Sequence, residues 1–231
     1  MRQWCFAIFA AALIAAPVPA VACRLALVLA VDVSTSIDQR DYALQRDGLA
    51  AALRDPDVID AFLSASSPVA LAAYEWSGQH NQRIILNWML MTNAGDMLSA
   101  ADRIETFVRF QTGYPTSLGR ALSFGGDMLA AAPQCGRQTL DMSGDGRNNA
   151  GYPPEVAYQD GFFSNVTVNA LAVGGGEPLD SLVRYFTEAV IRGNGAFVEV
   201  ARNHEDFKQA MRRKLVREVT SLVVTNLEPG Q

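Results

Sequence analysis

Leu25 to Val31 reads Leu-Ala-Leu-Val-Leu-Ala-Val, seven consecutive apolar residues closed by Asp32. The run is too short for a core helix and lacks the polar alternation of a half-solvated strand. It therefore predicts a central strand buried on both faces. Val69 to Ala73, Arg83 to Met91, Gln138 to Ser143 and Val166 to Val173, with a short segment at Ala196 to Val200, read as strands too. Ser77-Gly78-Gln79 links the second and third runs tightly enough for an antiparallel pair.

Helical spacing fills the gaps. Tyr42, Leu44, Leu49, Ala52 and Leu53 recur along one helix face, and Asp55-Pro56 ends that helix. Asn93 or Asp96 caps a second helix running to about Phe110, with Met97, Leu98, Ala101, Ile104 and Val108 on one side. Ser117 to Ala131, Leu179 to Ile191 and Asp206 to about Val223 complete the set. Strands alternating with helices predict an α/β, doubly wound, mostly parallel six-stranded sheet with helices on both faces and one antiparallel edge strand.

The N-terminus predicts the compartment. Arg2 precedes an uncharged run, Trp4 to Val21, that contains Pro17 and Pro19 and ends in Ala20-Val21-Ala22. That order describes a secretory signal peptide over residues 1–22, removed after Ala22. A membrane anchor is the competing reading, but the prolines and the missing basic flank disfavour it. Residues 23–225 then form one domain and 226–231 a frayed tail, with no membrane span after cleavage, in the periplasm or secreted. Cys23 directly follows the small residues, so a lipid anchor on Cys23 is the alternative; a strand starting at Leu25 would leave it almost no tether.

Net charge is -5, or -6 once Arg2 is removed, and no basic run occurs. Nucleic acid is excluded as a partner, because phosphates would meet no positive footprint. Of three cysteines, Cys5 leaves with the signal and Cys23 and Cys135 remain. In an oxidising compartment a disulfide is the default and a pair of buried thiols the alternative.

Functional groups of doubly wound sheets collect where strands end and strand order reverses. Two predicted strands end in an acid inside a polar cluster: Asp32, Ser34 and Ser36 after the first, Asp145 after the fourth. Thr116 lies in a loop leading into a helix on the same rim. Carboxylates combined with hydroxyls suit a hard divalent cation. A helix starting near Asp38 points its N-terminus toward this rim, which eases the holding of an anionic ligand. Each residue taken singly is also an ordinary cap or turn former.

Asp32-x-Ser34-x-Ser36 after a first buried strand, a loop threonine at Thr116, and Asp145-Gly146 after a fourth strand together resemble the metal-ion-dependent adhesion site of von Willebrand factor A (vWA) domains. In strand and helix order the resemblance covers essentially the whole mature chain. More narrowly, the chain is similar to exported bacterial proteins built from this domain alone (DUF1194-like). The resemblance implies a Rossmann-like sheet and a non-enzymatic binding module. Ser34 and Ser36 would bind the cation through their hydroxyls, and Thr116 directly or through water. Asp32 and Asp145 would supply charge. The cation would be Mg2+, or Ca2+ or Mn2+, with an open position for a carboxylate from a protein partner. The family often carries Thr-Asp-Gly where this chain has Ser143-Gly144-Asp145-Gly146. Asp141 falls inside the apolar run, so Asp145 is the metal-facing acid. The family's sheet order sets the first and fourth strands side by side. Cys23 and Cys135 then sit at the opposite end from the metal rim, and the resemblance implies a Cys23–Cys135 disulfide.

Other patterns fail on inspection. Asp141-x-Ser143-x-Asp145-Gly146 starts like a calcium loop, but Tyr152 stands where a bidentate Glu is needed. No Gly-x-Ser-x-Gly elbow occurs, and Gly174 to Gly176 lacks the Lys-Ser/Thr of a phosphate loop. Those glycines read as a tight strand-to-helix turn. Tyr114 and Tyr152 lie near the rim and read either as packing or as interface aromatics. A metal-dependent hydrolase and a structural subunit whose cation only steadies loops are the alternative functions.

Overall fold

The computed structural model describes residues 23–109 and 113–224; the expected signal peptide and tail, residues 1–22 and 226–231, lie outside the described residues. Six strands form one sheet in the order β3-β2-β1-β4-β5-β6. They are β1 (Leu25–Asp32), β2 (Val69–Trp76), β3 (Gln82–Met91), β4 (Gln138–Gly144), β5 (Val166–Val173) and β6 (Val198–Ala201). All neighbours are parallel except β2 and β3, so the antiparallel strand is at the edge. The helices are α1 (Gln39–Leu53), α2 (Pro56–Leu63), α3 (Ala94–Glu105), α4 (Leu118–Ala130), α5 (Pro154–Ala157), α6 (Leu179–Tyr185) and α7 (Phe207–Val224). Among the described residues no helix is long and apolar enough to cross a membrane.

β1 is buried along its whole length, and its period-two alternation divides two cores. Leu25, Leu27, Leu29 and Val31 pack with residues of α1, α2, α3 and α7 on one face. Ala26, Val28 and Ala30 pack with α4 and the α5–α6 region on the other. Small residues on that second face give room to Tyr74, Leu140 and Met142, which are fully buried there. Because the chain runs outward from β1 through β2 in one direction and through β4 in the other, the carboxyl ends of β1 and β4 flank the switch point of the sheet.

Several boundaries differ from the sequence reading, each for a local reason. β2 continues past Ala73 to Trp76, because Glu75 is buried there with its carboxylate accepting a 2.6 Å hydrogen bond from the Tyr42 hydroxyl. Asp55-Pro56 ends α1 and also opens α2: Asp55 accepts from the Asp57 amide at 3.0 Å, and proline fits a first helical turn that needs no amide donor. The helix expected to reach about Phe110 stops at Glu105, and Phe110 lies outside the described residues. The segment from Leu179 to Ile191 is α-helical only to Tyr185, then widens into a π turn in which the Ile191 amide reaches the Phe186 carbonyl.

At the end of β1 away from the switch point, Cys23 and Cys135 form a disulfide between Cα atoms 4.5 Å apart. The bridge ties the entry of β1 to the segment leading into β4, and Cys23 is fully buried.

Candidate metal centre

The strand register places the two acids. Asp32 is the last residue of β1, opposite Trp76 of β2, and Val31 is opposite Ser143 of β4. β4 ends one residue later at Gly144, so Asp145 leaves the sheet beside Asp32. Both carboxylates are buried. After Asp32 the chain turns sharply: the Ser34 amide donates to Asp32 Oδ1 at 2.7 Å, and the Ile37 amide donates to the Ser34 carbonyl. Asp38 then caps α1 by accepting from the Asp41 amide at 2.8 Å.

This turn gathers the hydroxyls. Ser34 Oγ lies 3.3 Å from Ser36 Oγ and accepts from Thr116 Oγ1 at 3.2 Å. Ser36 Oγ donates to Asp145 Oδ1 at 2.7 Å. Ser34, Ser36, Thr116 and Asp145 thus form one connected chain of oxygens, and Asp32 joins it through the Ser34 amide. Ser34 and Thr116 are buried and Ser36 is exposed, so the cluster opens to solvent at Ser36. The structure brings together all five residues singled out in the sequence.

Electrostatically the cluster is short of positive charge. Burial, reinforced by Asp145, pushes the Asp32 carboxyl up to about 7, against the Ser34 hydrogen bonds and a distant pull from Arg109. Burial also raises Asp145, with Ser36 and His204 opposing. Asp32 Oδ2 is buried without any hydrogen-bond partner. An orphaned carboxylate oxygen beside a second buried acid is costly unless a proton or a cation completes it. Two carboxylates and three hydroxyls are all hard oxygen donors, which fits a divalent cation of the Mg2+ class.

Glycines shape the acids' surroundings. A Cβ on Gly144 would stand 3.1 Å from Asp32 Oδ2, and one on Gly176 would stand 2.8 Å from the Asp145 carbonyl and 3.1 Å from Asp145 Oδ2. The third glycine of the Gly174–Gly176 turn therefore gives Asp145 its space.

The sequence did not point to the residues that hold the loops. Asn149 accepts from the Thr116 amide at 2.8 Å and returns its own amide to the Thr116 carbonyl at 2.9 Å. Thr35 donates both its amide and its hydroxyl to the Tyr114 carbonyl. The Arg109 guanidinium meets carbonyls of the 33–38 turn. Such contacts leave no spacing signal, because each is one polar residue reaching a distant backbone group. Of the rim aromatics, Tyr114 is 37% exposed, whereas Tyr152 is half-buried and donates to Ser123 Oγ, a packing role.

A family model described as "Protein of unknown function (DUF1194)" matches residues 22–223. The chain belongs to the DUF1194 family. No curated protein matches it in sequence. Among solved structures, this DUF1194 chain is similar to proximal thread matrix protein 1 of the mussel byssus, in a structure described as having a zinc-occupied MIDAS motif. That pair has a TM-score of 0.61 at 17% identity over 86% of this chain and 48% of the other. It is also similar to a von Willebrand factor type A protein from Catenulispora acidiphila, with a TM-score of 0.60 at 15% identity over 85% of this chain and 43% of that one. The chain thus spans less than half the length of those two. The vWF domain of the type V pili tip protein Mfa5 from Porphyromonas gingivalis gives a TM-score of 0.56 at 11% identity, covering 92% of this chain and 99% of the other. The fold is that of a vWA domain, Rossmann-like with a single antiparallel strand.

Proposed function

We propose that this DUF1194 chain is an exported binding module that holds one divalent cation and binds a protein partner through it. Asp32, Ser34, Ser36, Thr116 and Asp145 would hold the ion, and a carboxylate of the partner would complete its coordination. The observation that carries the reading is the buried, partnerless Asp32 Oδ2 beside Asp145, inside a connected set of hydroxyl oxygens. The ion supplies the positive charge that the site lacks and attracts an anionic group at the rim. Mg2+ is the first choice on donor chemistry, with Mn2+ and Ca2+ next.

Export is supported by the Met1 to Ala22 pattern and by the Cys23–Cys135 disulfide, which suits an oxidising compartment. That bond also gives Cys23 a partner other than a lipid. Binding rather than catalysis is supported by the surroundings of the rim. His204 is buried with Nδ1 3.4 Å from Asp41, Asp145 accepts from the Ser36 hydroxyl, and Asp32 accepts from the Ser34 amide.

Titration calorimetry of the mature domain with Mg2+, Mn2+ and Ca2+, wild type beside Asp32→Ala, tests the reading. One ion bound by the wild type and none by the folded variant supports it, and a cation-dependent pull-down from envelope extract follows. A folded wild-type domain that binds none of the three ions overturns it.

A further inference from the structure

The 33–38 turn carries two of the five oxygen donors, yet little within the turn itself holds its shape. Its internal hydrogen bonds are the Ser34 amide on Asp32, the Ile37 amide on the Ser34 carbonyl, and a 3.3 Å contact between the Ser34 and Ser36 hydroxyls. Underneath, Val33, Ile37 and Tyr42 form a separate three-residue apolar cluster. What fixes the carbonyl side comes from 71 to 76 residues away in sequence. Arg109 Nη2 donates to the Val33 carbonyl at 2.8 Å and to the Ile37 carbonyl at 2.9 Å, with the Ser34 carbonyl at 3.5 Å. Nη1 donates to the Asp38 carbonyl at 3.2 Å. The guanidinium carbon lies 5.2 Å from the centroid of the Tyr42 ring, so the aromatic residue beneath the turn also backs the clamp.

From these contacts we infer that Arg109 is the positioning residue of the cation site, holding the 33–38 turn in the shape that presents Ser34 and Ser36. The inference rests on the cation reading and deepens it. A planar guanidinium can serve several carbonyls arranged along an arc, whereas an ammonium donates from a single point. With the carbonyls drawn onto Arg109, the hydroxyls of Ser34 and Ser36 are left to Thr116 and Asp145. Arg109, Tyr114 and Thr116 then grip the turn at three places. Arg109 takes the carbonyls, the Tyr114 carbonyl takes Thr35, and Thr116 Oγ1 takes Ser34.

Arg109 has a second, opposite influence, which makes the inference testable. Its positive charge favours ionised Asp32 and also repels an incoming cation. If its charge dominated, a neutral replacement would bind metal more tightly and lysine would change little. If its geometry dominates, both replacements loosen the turn and both weaken binding. Groups that orient metal ligands from outside the coordination shell are commonly worth about 10–100-fold in affinity.

The experiment is Mg2+ and Mn2+ calorimetry on wild type, Arg109→Lys and Arg109→Gln. Melting curves confirm folding, and amide exchange at Thr35 and Ile37 is followed without metal. The expected result is affinity lower by about 10-fold or more in both variants, with faster exchange at the turn. Unchanged affinity in Arg109→Lys, or tighter binding in Arg109→Gln, overturns the positioning role and leaves the cation site standing. No binding by the wild type overturns the cation reading and the Arg109 assignment with it.

Discussion

Asp32 and Asp141 stand on neighbouring parallel strands, both fully buried and both with a carboxyl pushed up to about 7, chiefly by burial. What surrounds them is opposite. Asp141 points into the α7 side of the sheet, where Lys214 Nζ lies 2.7 Å away and also donates to Glu218 at 2.7 Å. Glu218 in turn accepts from Asn169, which faces Asp141 across β4 and β5 and receives the Phe197 amide. That cluster contains its own cation. Both acids keep a buried Oδ2 without a hydrogen-bond partner, but Asp141 has Lys214 beside its other oxygen, whereas Asp32 has the Ser34 amide and a second acid, and the cation must come from outside. The comparison separates a buried acid that fastens a helix from one that is open to a ligand. The burial and the raised carboxyl are common to both, so neither property identifies a site without its partners.

The largest effect belongs to the self-contained cluster. Lys214→Met leaves two buried carboxyls facing one another and is expected to cost about 3–5 kcal/mol, while Mg2+ affinity of the folded fraction stays unchanged. Replacing Asp141 and Glu218 with leucine in the same chain should recover most of the loss, because the desolvation cost disappears with the charges. Urea unfolding of the variants measures both. A Lys214→Met protein as stable as wild type would mean that Lys214 does not complete Asp141, and the contrast with Asp32 would collapse.

Next in size is the end of the sheet opposite the metal rim. Serine at both Cys23 and Cys135 is expected to lower stability by about 2–4 kcal/mol, since the bond closes a long loop in the unfolded chain. Calorimetry should show no change in Mg2+ affinity for the folded variant. A large loss of affinity would show that the two ends of β1 are not independent.

How much of this contrast was legible in the sequence follows from the kind of interaction. The apolar run of β1 and its Asp-x-Ser-x-Ser exit are local, and so is Asp145 at the end of β4. Periodicity and strand ends therefore put these residues at the exits of strands, and the likeness to vWA domains set the two strands side by side. Asp141 was legible only as an acid out of place in an apolar strand. Its partner Lys214 lies 73 residues further on, in a helix where it follows two arginines. The structure buries Lys214 completely, while Arg212 beside it is half-buried and Arg213 is exposed. A helical face cannot be assigned to a buried ion pair before the strand opposite it is known. Arg109 was hidden for the same reason, since its partners are backbone carbonyls that any sequence supplies. The missed start of α2 has another cause: Asp-Pro ends one helix and begins another with equal chemical justification.

A smaller effect separates the two acids by pH. A buried acid whose carboxyl titrates near 7 when folded, against an ordinary 3.8, binds its proton more tightly in the folded state. The stability this contributes is full below the ordinary value and is lost as pH rises through about 7. Metal-free protein should therefore melt progressively lower from about pH 5 to pH 8. Mg2+ should restore stability increasingly over that same range, because it takes the place of the proton on Asp32 and has no access to Asp141. Asp32→Asn should remove the Mg2+ effect and flatten the slope in part, leaving the share due to Asp141. Thermal melts with and without Mg2+ measure this. A Mg2+ effect that persisted in Asp32→Asn would remove Asp32 from the site.

The smallest change adds one methyl group between the two strands. Gly144 directly precedes Asp145, and an alanine Cβ there would lie 3.1 Å from Asp32 Oδ2 and 3.5 Å from the Trp76 ring. The contact is tight enough to turn the carboxylate yet loose enough to be relieved by a few tenths of an ångström. Gly144→Ala also restricts the unfolded chain, which offsets part of the crowding, so net stability is expected to move by less than about 1 kcal/mol. The metal site should register more. A carboxylate turned away from its place holds a cation less well, and a loss of about 10-fold in Mg2+ affinity is expected, the low end for groups that steer ligands. Calorimetry on Gly144→Ala beside wild type measures it. Unchanged affinity would mean that Oδ2 of Asp32, though buried and unpartnered, is not the oxygen on which the ion depends, and the charge at the rim would then fall to Asp145.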